Sequence, residues 1–190
     1  MSSIDEIVQA LSRPPKSLRE VQARDGIPAQ PGLYAWWTKR GSIPSVPGCP
    51  HPTEGELDLF YVGISPSRGT SSATLRSRVT GNHIGGNTGS STFRQTLASL
   101  LSEEKGWKPV RVDRPLLTPE DNKALTDWQH EHLRLTWATH PEPWSIEHQV
   151  IGRLQPPLNL MGNRSHPFAA TVSAARKRFK DAAAANQKEI

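Results

Sequence analysis

The sequence predicts a small α/β domain of the α+β type, in which a short sheet packs against helices. The chain has 190 residues, enough for one domain with a substantial core. Two aromatic runs, "GLYAWW" at residues 32–37 and "LDLFYVGIS" at residues 57–65, have the composition of strands. Helical patterns surround these runs, and the alternating segment "LRLTWAT" at residues 133–139 adds a third strand.

Two short helices are predicted before the first strand. Residues 2–11 offer a serine suited to an N-cap, early acidic residues and apolar residues at helical spacing. Pro14 and Pro15 end this segment, and residues 16–26 form a second helix that Gly26 stops. We assign residues 1–30 to an N-terminal helical extension.

A long loop separates the two aromatic strands. Residues 38–56 contain four prolines and three glycines. If the two strands pair as a hairpin, this connection is far longer than usual, which favours a functional or family-specific insertion.

Five more helices are predicted in the remainder of the chain. The strongest signals are a serine cap and a terminal glycine for one helix, and Thr118 followed by Pro119 at the start of the next. The predicted segments are residues 73–83, 91–106, 118–132, 143–154 and 170–188.

Composition and charge favour an anionic partner. The net charge is +5, and nucleic acid is the usual partner of such a chain.

The single cysteine, Cys49, excludes an internal disulfide framework and a cysteine-based zinc site. No apolar run approaches the ~18 residues of a membrane span, and the N-terminus lacks the pattern of a secretory signal. We expect a soluble cytoplasmic protein without membrane contact.

Five features follow one another in an order that resembles the GIY-YIG nuclease superfamily. They are "GLY" at residues 32–34, "YVG" at residues 61–63, Arg78, Glu147 and Asn159. Either tripeptide alone carries little information, whereas the ordered set is much harder to obtain by chance. The resemblance covers residues 31–160 and is closest to the compact, restriction-type members.

The resemblance implies both a fold and an activity. The fold would be a mostly antiparallel three-stranded sheet flanked by helices, here over residues 31–162, with residues 163–190 as a basic C-terminal helix. The activity would be hydrolysis of phosphodiester bonds in DNA with one divalent metal, Mg²⁺ or Mn²⁺. Cutting both strands with one site per chain needs two subunits, which makes a homodimer an open alternative.

Glu147 and Arg78 are the residues best suited to the metal and to the phosphate. A carboxylate is a hard oxygen ligand for Mg²⁺. Glu147 shares a helix face with Val150 and Ile151, so we expect it to point inward rather than into solvent. The guanidinium of Arg78 can clamp a phosphate and stabilise charge in the transition state.

Tyr34, Tyr61 and a histidine complete the predicted catalytic set. The resemblance implies that one tyrosine accepts the proton of the attacking water and the other orients water or phosphate, without settling which does which. The family commonly places a His or Tyr four residues after the arginine, a position that Asn82 occupies here. We favour His83, one residue further on, because imidazole can accept or relay a proton near neutral pH and an amide cannot.

The remaining predictions concern support and DNA contact. Asn159 is expected to order the loop beside Glu147. Gly63, Arg76 and Arg94 are predicted to contact DNA. The basic run at residues 175–180 is interpreted as a solvated face that could also meet phosphates.

Two alternatives to a nuclease stay open at this point. The first is a non-catalytic nucleic-acid-binding module that retains the nuclease fold. The second is a protein-interaction or toxin–antitoxin type component whose basic charge serves an acidic protein partner.

Overall fold

A four-stranded antiparallel sheet forms the centre of the structure. The computed structural model describes residues 3–43 and 45–186. The strands of the described part of the chain are, in chain order, β1 (Lys16–Ser17), β2 (Gly32–Lys39), β3 (Leu57–Ser65), β4 (Val110–Arg111), β5 (Pro115–Leu116) and β6 (Leu133–Thr139). The main sheet has the order β1-β6-β2-β3, and β4 and β5 form a separate two-stranded hairpin. The predicted mixed fold is confirmed, with four strands in the main sheet rather than three, because the two-residue β1 is too short to produce a pattern.

Helices pack on both faces of this sheet. They are α1 (Ile4–Leu11), α2 (Leu18–Gln22), α3 (Thr92–Lys105), α4 (Pro119–His132), α5 (Glu147–Leu154) and α6 (Ala169–Ala185), together with a π-helix (Ser77–Ile84) and a 3₁₀ turn (Pro143–Ser145). The predicted caps are present: Ser91 accepts a hydrogen bond from the Arg94 amide, and Thr118 accepts one from the Asp121 amide. Residues 1–2, 44 and 187–190, which fall within the predicted N-terminal extension, long loop and C-terminal helix, lie outside the described part of the chain.

Successive side chains of each strand point to opposite faces of the sheet, and this alternation produces two hydrophobic cores. Tyr34 and Trp36 face one side of β2, where they pack with α2, α3, α4 and α6. Leu33, Ala35 and Trp37 face the other side, where α1 and α5 cover them. The sheet is therefore buried on both faces, and only its edges can border an open site.

The outer edge of β3 is covered by two segments of the same chain. Toward its start, the Leu59 amide donates to the carbonyl of Cys49 in the long loop at 2.7 Å. At the bulge that β3 makes opposite Trp36 and Trp37, the Leu158 amide donates to the carbonyl of Phe60 at 3.0 Å. An edge covered in this way does not offer its backbone to another chain.

The two terminal segments both contact the central domain. β1 pairs with β6, and α6 packs against α3. The predicted divisions at residues 30 and 162 stay predictions. Among residues 3–43 and 45–186, no helix combines the length and apolar character needed to cross a membrane.

Candidate active site

A cavity of about 310 Å³ opens where the segment after α5 covers β3. Four of the six predicted catalytic residues line it, namely Tyr61, Arg78, Glu147 and Asn159. Thr92, Leu158, Leu160, Met161, Arg164 and Arg176 complete the wall. Two larger cavities, of about 460 and 630 Å³, contain none of the predicted catalytic residues. The polar groups needed for phosphate chemistry therefore converge at this one place among the described cavities.

Tyr34 and His83 are joined by a buried hydrogen bond. The Tyr34 hydroxyl lies 2.7 Å from His83 Nε2, and His83 Nδ1 lies 2.7 Å from Ser91 Oγ. Ser91 Oγ also accepts the Arg94 amide at 3.1 Å, as the cap of α3. Tyr34 and His83 are each only 1% exposed. The three side chains form a continuous row behind the cavity, which we call the Tyr34–His83–Ser91 row.

The π-helix explains the position of His83. A π-helix bonds residue i to residue i+5, so residues five apart lie about one turn apart, as residues four apart do in an α-helix. The Gly85 amide donates to the carbonyl of Thr80 at 2.9 Å, in that pattern. The extra residue per turn brings His83 to the Tyr34 hydroxyl. Neither His83 nor Asn82 lines the cavity itself.

Burial shifts the pKa values of the phenols and the imidazole in opposite directions. It raises the pKa of Tyr34 well above the usual range of a phenol, and the positive charge of Arg78 offsets only part of this. Burial also raises the pKa of Tyr61, reinforced by the negative charge of Glu147. Burial lowers the pKa of His83 far below its ordinary value, with the charges of Arg78 and Arg94 acting in the same direction. The row is therefore neutral at pH 7.

Glu147 is the carboxylate of the site. It is the first residue of α5, and Val150 and Ile151 of the same helix are buried, as the pattern predicts. Burial raises its pKa, partly offset by His148. Its carboxylate makes no hydrogen bond or ion pair to another described residue, so both oxygens are available to a ligand.

The single carboxylate of the cavity suits a hard cation, such as Mg²⁺, that binds waters and substrate oxygens as its other ligands. The described residues contain no group of three or more His, Cys, Asp or Glu side chains that could enclose a metal. Mg²⁺ is commonly held by one or two carboxylates together with waters and substrate phosphate oxygens. A single free carboxylate in a half-buried cavity fits that mode, and it does not fit a metal held entirely by protein ligands.

Asn159 holds the segment after α5 against the sheet. Its Oδ1 accepts the Val62 amide at 2.9 Å, and its Nδ2 donates to the Val62 carbonyl at 2.8 Å. The side chain thus pairs with an edge strand as another strand would. These two bonds hold Asn159 in place on the cavity wall, which Glu147 also lines.

The structure places two of the three predicted DNA-contact residues, Gly63 and Arg94, away from an open surface. A Cβ added at Gly63 would meet Cζ of the Tyr34 ring at 2.5 Å, so this glycine makes room for the tyrosine. Arg94 is fully buried, where its guanidinium bonds the carbonyls of His83 and Ile84, and burial lowers its pKa to about 10. For Gly63 and Arg94 the predicted DNA contact is wrong, because DNA has no access to them. Arg76 is half-buried and donates to the carbonyls of Ile27 and Arg24, and its contact with DNA stays a prediction.

Three residues of the site were not assigned to it by the sequence. Ser91 was predicted as a helix cap, but its contact with His83 depends on the fold. Arg176 belongs to the basic run of α6, where only a solvated face or a phosphate contact was expected. Arg164 carried no signal at all. Arg164 and Arg176 follow Asn159, the last residue of the motif series.

Comparison with known proteins identifies one family. The GIY-YIG catalytic domain matches residues 32–178, which is more than half of the chain. No curated protein and no solved structure matches the chain. The matched range contains all six predicted catalytic residues and also Arg164 and Arg176.

Proposed function

This chain belongs to the GIY-YIG catalytic domain family, which is made of nucleases, and we propose that it is a metal-dependent DNA endonuclease. One observation carries the proposal: Tyr61, Arg78 and Glu147, which are distant in sequence, line the same cavity. These are a phenol, a permanent cation and a free carboxylate. Together they match the needs of phosphodiester hydrolysis, namely a proton-handling group, a phosphate clamp and a metal ligand.

Glu147 would hold Mg²⁺ or Mn²⁺ together with oxygens of the substrate phosphate and water. When bound, such an ion acts as a Lewis acid that polarises a phosphoryl oxygen. Arg78 would bind a second phosphate oxygen. The positive charge of its guanidinium can stabilise negative charge in the transition state.

The two tyrosines receive different roles from their surroundings. Tyr61 lines the cavity and is only half-buried, so its hydroxyl is the phenol that can touch water or phosphate. Tyr34 is buried and bonded to His83. A neutral His83 can accept a hydrogen bond from the Tyr34 hydroxyl at Nε2 while its Nδ1–H donates to Ser91 Oγ. The Tyr34–His83–Ser91 row would thereby hold Tyr34 in place and orient its hydroxyl.

Replacement of Glu147 tests the proposal. With Mg²⁺ or Mn²⁺, the purified protein should cleave plasmid and synthetic duplex DNA, and EDTA should stop the cleavage. Glu147→Ala should lower cleavage by about 100-fold or more while much of the DNA binding persists, because the metal stabilises charge chiefly in the transition state. Glu142→Ala is the matched control, since Glu142 is exposed and its side chain makes no hydrogen bond to another described residue.

Binding of DNA without cleavage would support the alternative function. If the unaltered protein binds duplexes and leaves them intact with either metal, it is a non-catalytic nucleic-acid-binding module. A restriction or genome-defence role is the narrower part of our proposal. It predicts that sequenced product ends from mixed genomic DNA share one recurrent sequence.

A further inference from the structure

We propose that Arg164 and Arg176 form a second phosphate-binding subsite, which holds a phosphate of the cut DNA strand next to the scissile one. The inference rests on the proposed function, because it takes a DNA strand as the ligand. It concerns the segment that follows Asn159, outside the series of catalytic motifs.

Arg176 is fixed in place at the wall of the cavity. It lies on α6, and its guanidinium donates from Nε and Nη2 to Thr96 Oγ1 of α3. Nη2 also approaches the carbonyl of Thr92 at 3.4 Å. These bonds hold the guanidinium plane in one orientation, so that a ligand would not have to order a flexible side chain.

The charge of Arg176 is not matched by an acid. Its Nη1 makes no hydrogen bond to another described residue, and the salt bridges among the described residues do not include it. The side chain is half-buried, and burial lowers its pKa. A partly desolvated cation with free donors is best stabilised by an anion that arrives from solution.

Arg164 adds a second cation on the same wall. It is exposed, and its neighbour Asn163 is buried and donates from Nδ2 to the carbonyl of Pro156 at 2.9 Å. The base of this turn is therefore fixed while the Arg164 side chain stays free to reach a ligand.

The balance of charge indicates more than one phosphate. Three arginines and one glutamate line the cavity, which leaves two positive charges in excess. Each phosphodiester of a DNA strand carries one negative charge. One phosphate at Arg78 leaves a positive charge unmatched, and a metal beside Glu147 would add to that excess. A second phosphate at Arg164 and Arg176 neutralises the charge that the side chains leave unmatched and reduces the excess that a metal would add.

Salt-dependent DNA binding tests the subsite. A labelled duplex is titrated by fluorescence anisotropy between about 50 and 200 mM KCl, with every variant in a Glu147→Ala background so that the DNA stays intact. Arg176→Gln and Arg164→Gln should each weaken binding about tenfold at low salt and reduce the slope of log Kd against log salt by about one. Lys108→Gln, an exposed position after α3 that does not line the cavity, removes the same charge and should leave both values nearly unchanged.

A further variant separates charge from tethering. Thr96→Val removes the hydroxyl that holds Arg176 but keeps the guanidinium, so the salt slope should persist. If Thr96→Val reproduces the effect of Arg176→Gln in full, Arg176 is a structural tether and the subsite is wrong. Arg164 is exposed and its side chain makes no hydrogen bond to another described residue, so Arg164→Gln gives a result that does not depend on folding.

The outcomes distinguish the subsite from the nuclease activity. If the protein with Glu147 intact cuts DNA, and both arginine variants bind with the slope of the Lys108→Gln control, the subsite is wrong and the nuclease stands. If it does not cut DNA while both arginine variants lose about one unit of slope, the nuclease is wrong and the phosphate contacts stand.

Discussion

The hydrogen bonds of the Tyr34–His83–Ser91 row restrict where the protons of these buried side chains can lie. Both nitrogens of His83 have partners, so the imidazole is held in orientation and can serve Tyr34 as an acceptor only in its neutral form. Burial and two neighbouring arginines keep it neutral. Tyr61, by contrast, has no hydrogen bond from its hydroxyl to another described residue and faces the cavity.

Removing the two phenol hydroxyls should therefore have different effects on stability. Tyr34→Phe leaves a buried nitrogen of His83 without its partner and should lower the free energy of unfolding by about 1–3 kcal/mol. Tyr61→Phe should change it by less than about 0.5 kcal/mol. Urea denaturation measures both values, and both variants should lose cleavage activity. Equal destabilisation by the two changes would contradict the assigned difference in environment.

The lowered pKa of His83 predicts a pH dependence of stability. Below the unfolded-state pKa of about 6.5, the unfolded chain binds a proton at this position that the folded protein does not. The free energy of unfolding should then fall as the pH falls from 6.5 toward the lowered folded pKa, by at most about 1.4 kcal/mol per pH unit.

His83→Gln provides the comparison for this pH effect. Urea denaturation at several pH values should give a shallower dependence for the variant than for the unaltered protein. The raised pKa of Glu147 acts with the opposite sign, since the folded protein then holds the extra proton, but it is present in both proteins and cancels in the difference. Identical slopes would show that His83 is protonated in the folded state.

At the scale of elements, the π-helix carries the part of the site that sequence periodicity could not predict. The pattern predicted a helix with Arg78 and His83, but a period of 3.6 aligns Asn82 rather than His83 with the arginine. The wider turn is supported by residues distant in sequence. The carbonyl of His83 accepts Arg94 Nη1 and Gln129 Nε2, each at 3.2 Å. Such long-range bonds leave no signal within the helix itself.

The clamp between Asn159 and β3 is a second element-scale feature. Asn159→Ala leaves the buried amide and carbonyl of Val62 unpaired and should cost about 2 kcal/mol or more of unfolding free energy. Asn159→Asp keeps the acceptor but loses the donor at neutral pH. A protonated aspartate regains the donor, so the gap between this variant and the unaltered protein should narrow in acid. Chemical denaturation at neutral and acid pH measures the gap, and a gap that does not change with pH would argue against the assigned pairing.

At the scale of the whole molecule, local patterns predicted the elements and tertiary packing determined the cavity. The three long strands and the capped helices follow from alternation, spacing and end signals that each segment carries alone. The short β1, the covering of β3 by two distant segments and the arrival of Arg176 from α6 depend on contacts across the chain. Gly63 and Arg94 were misassigned for the same reason, because residue type alone does not reveal burial.

The number of chains in the active complex is the remaining whole-molecule question. The described residues provide one cavity with Tyr61, Arg78 and Glu147, so the proposed nuclease would cut one strand per chain at a time. If a homodimer cuts both strands of a supercoiled plasmid, the linear product should rise with the second power of protein concentration when monomers predominate. Sedimentation velocity with and without duplex measures the assembly directly.

Mixing active and inactive chains makes this test decisive. An excess of Glu147→Ala chains should produce mixed dimers with a single working site, so the product should shift from linear to nicked plasmid. If the chain acts as a monomer, the inactive protein only competes for DNA and slows both products without favouring the nicked form. A Glu142→Ala chain added at the same excess should preserve the linear product, because its cavity is intact.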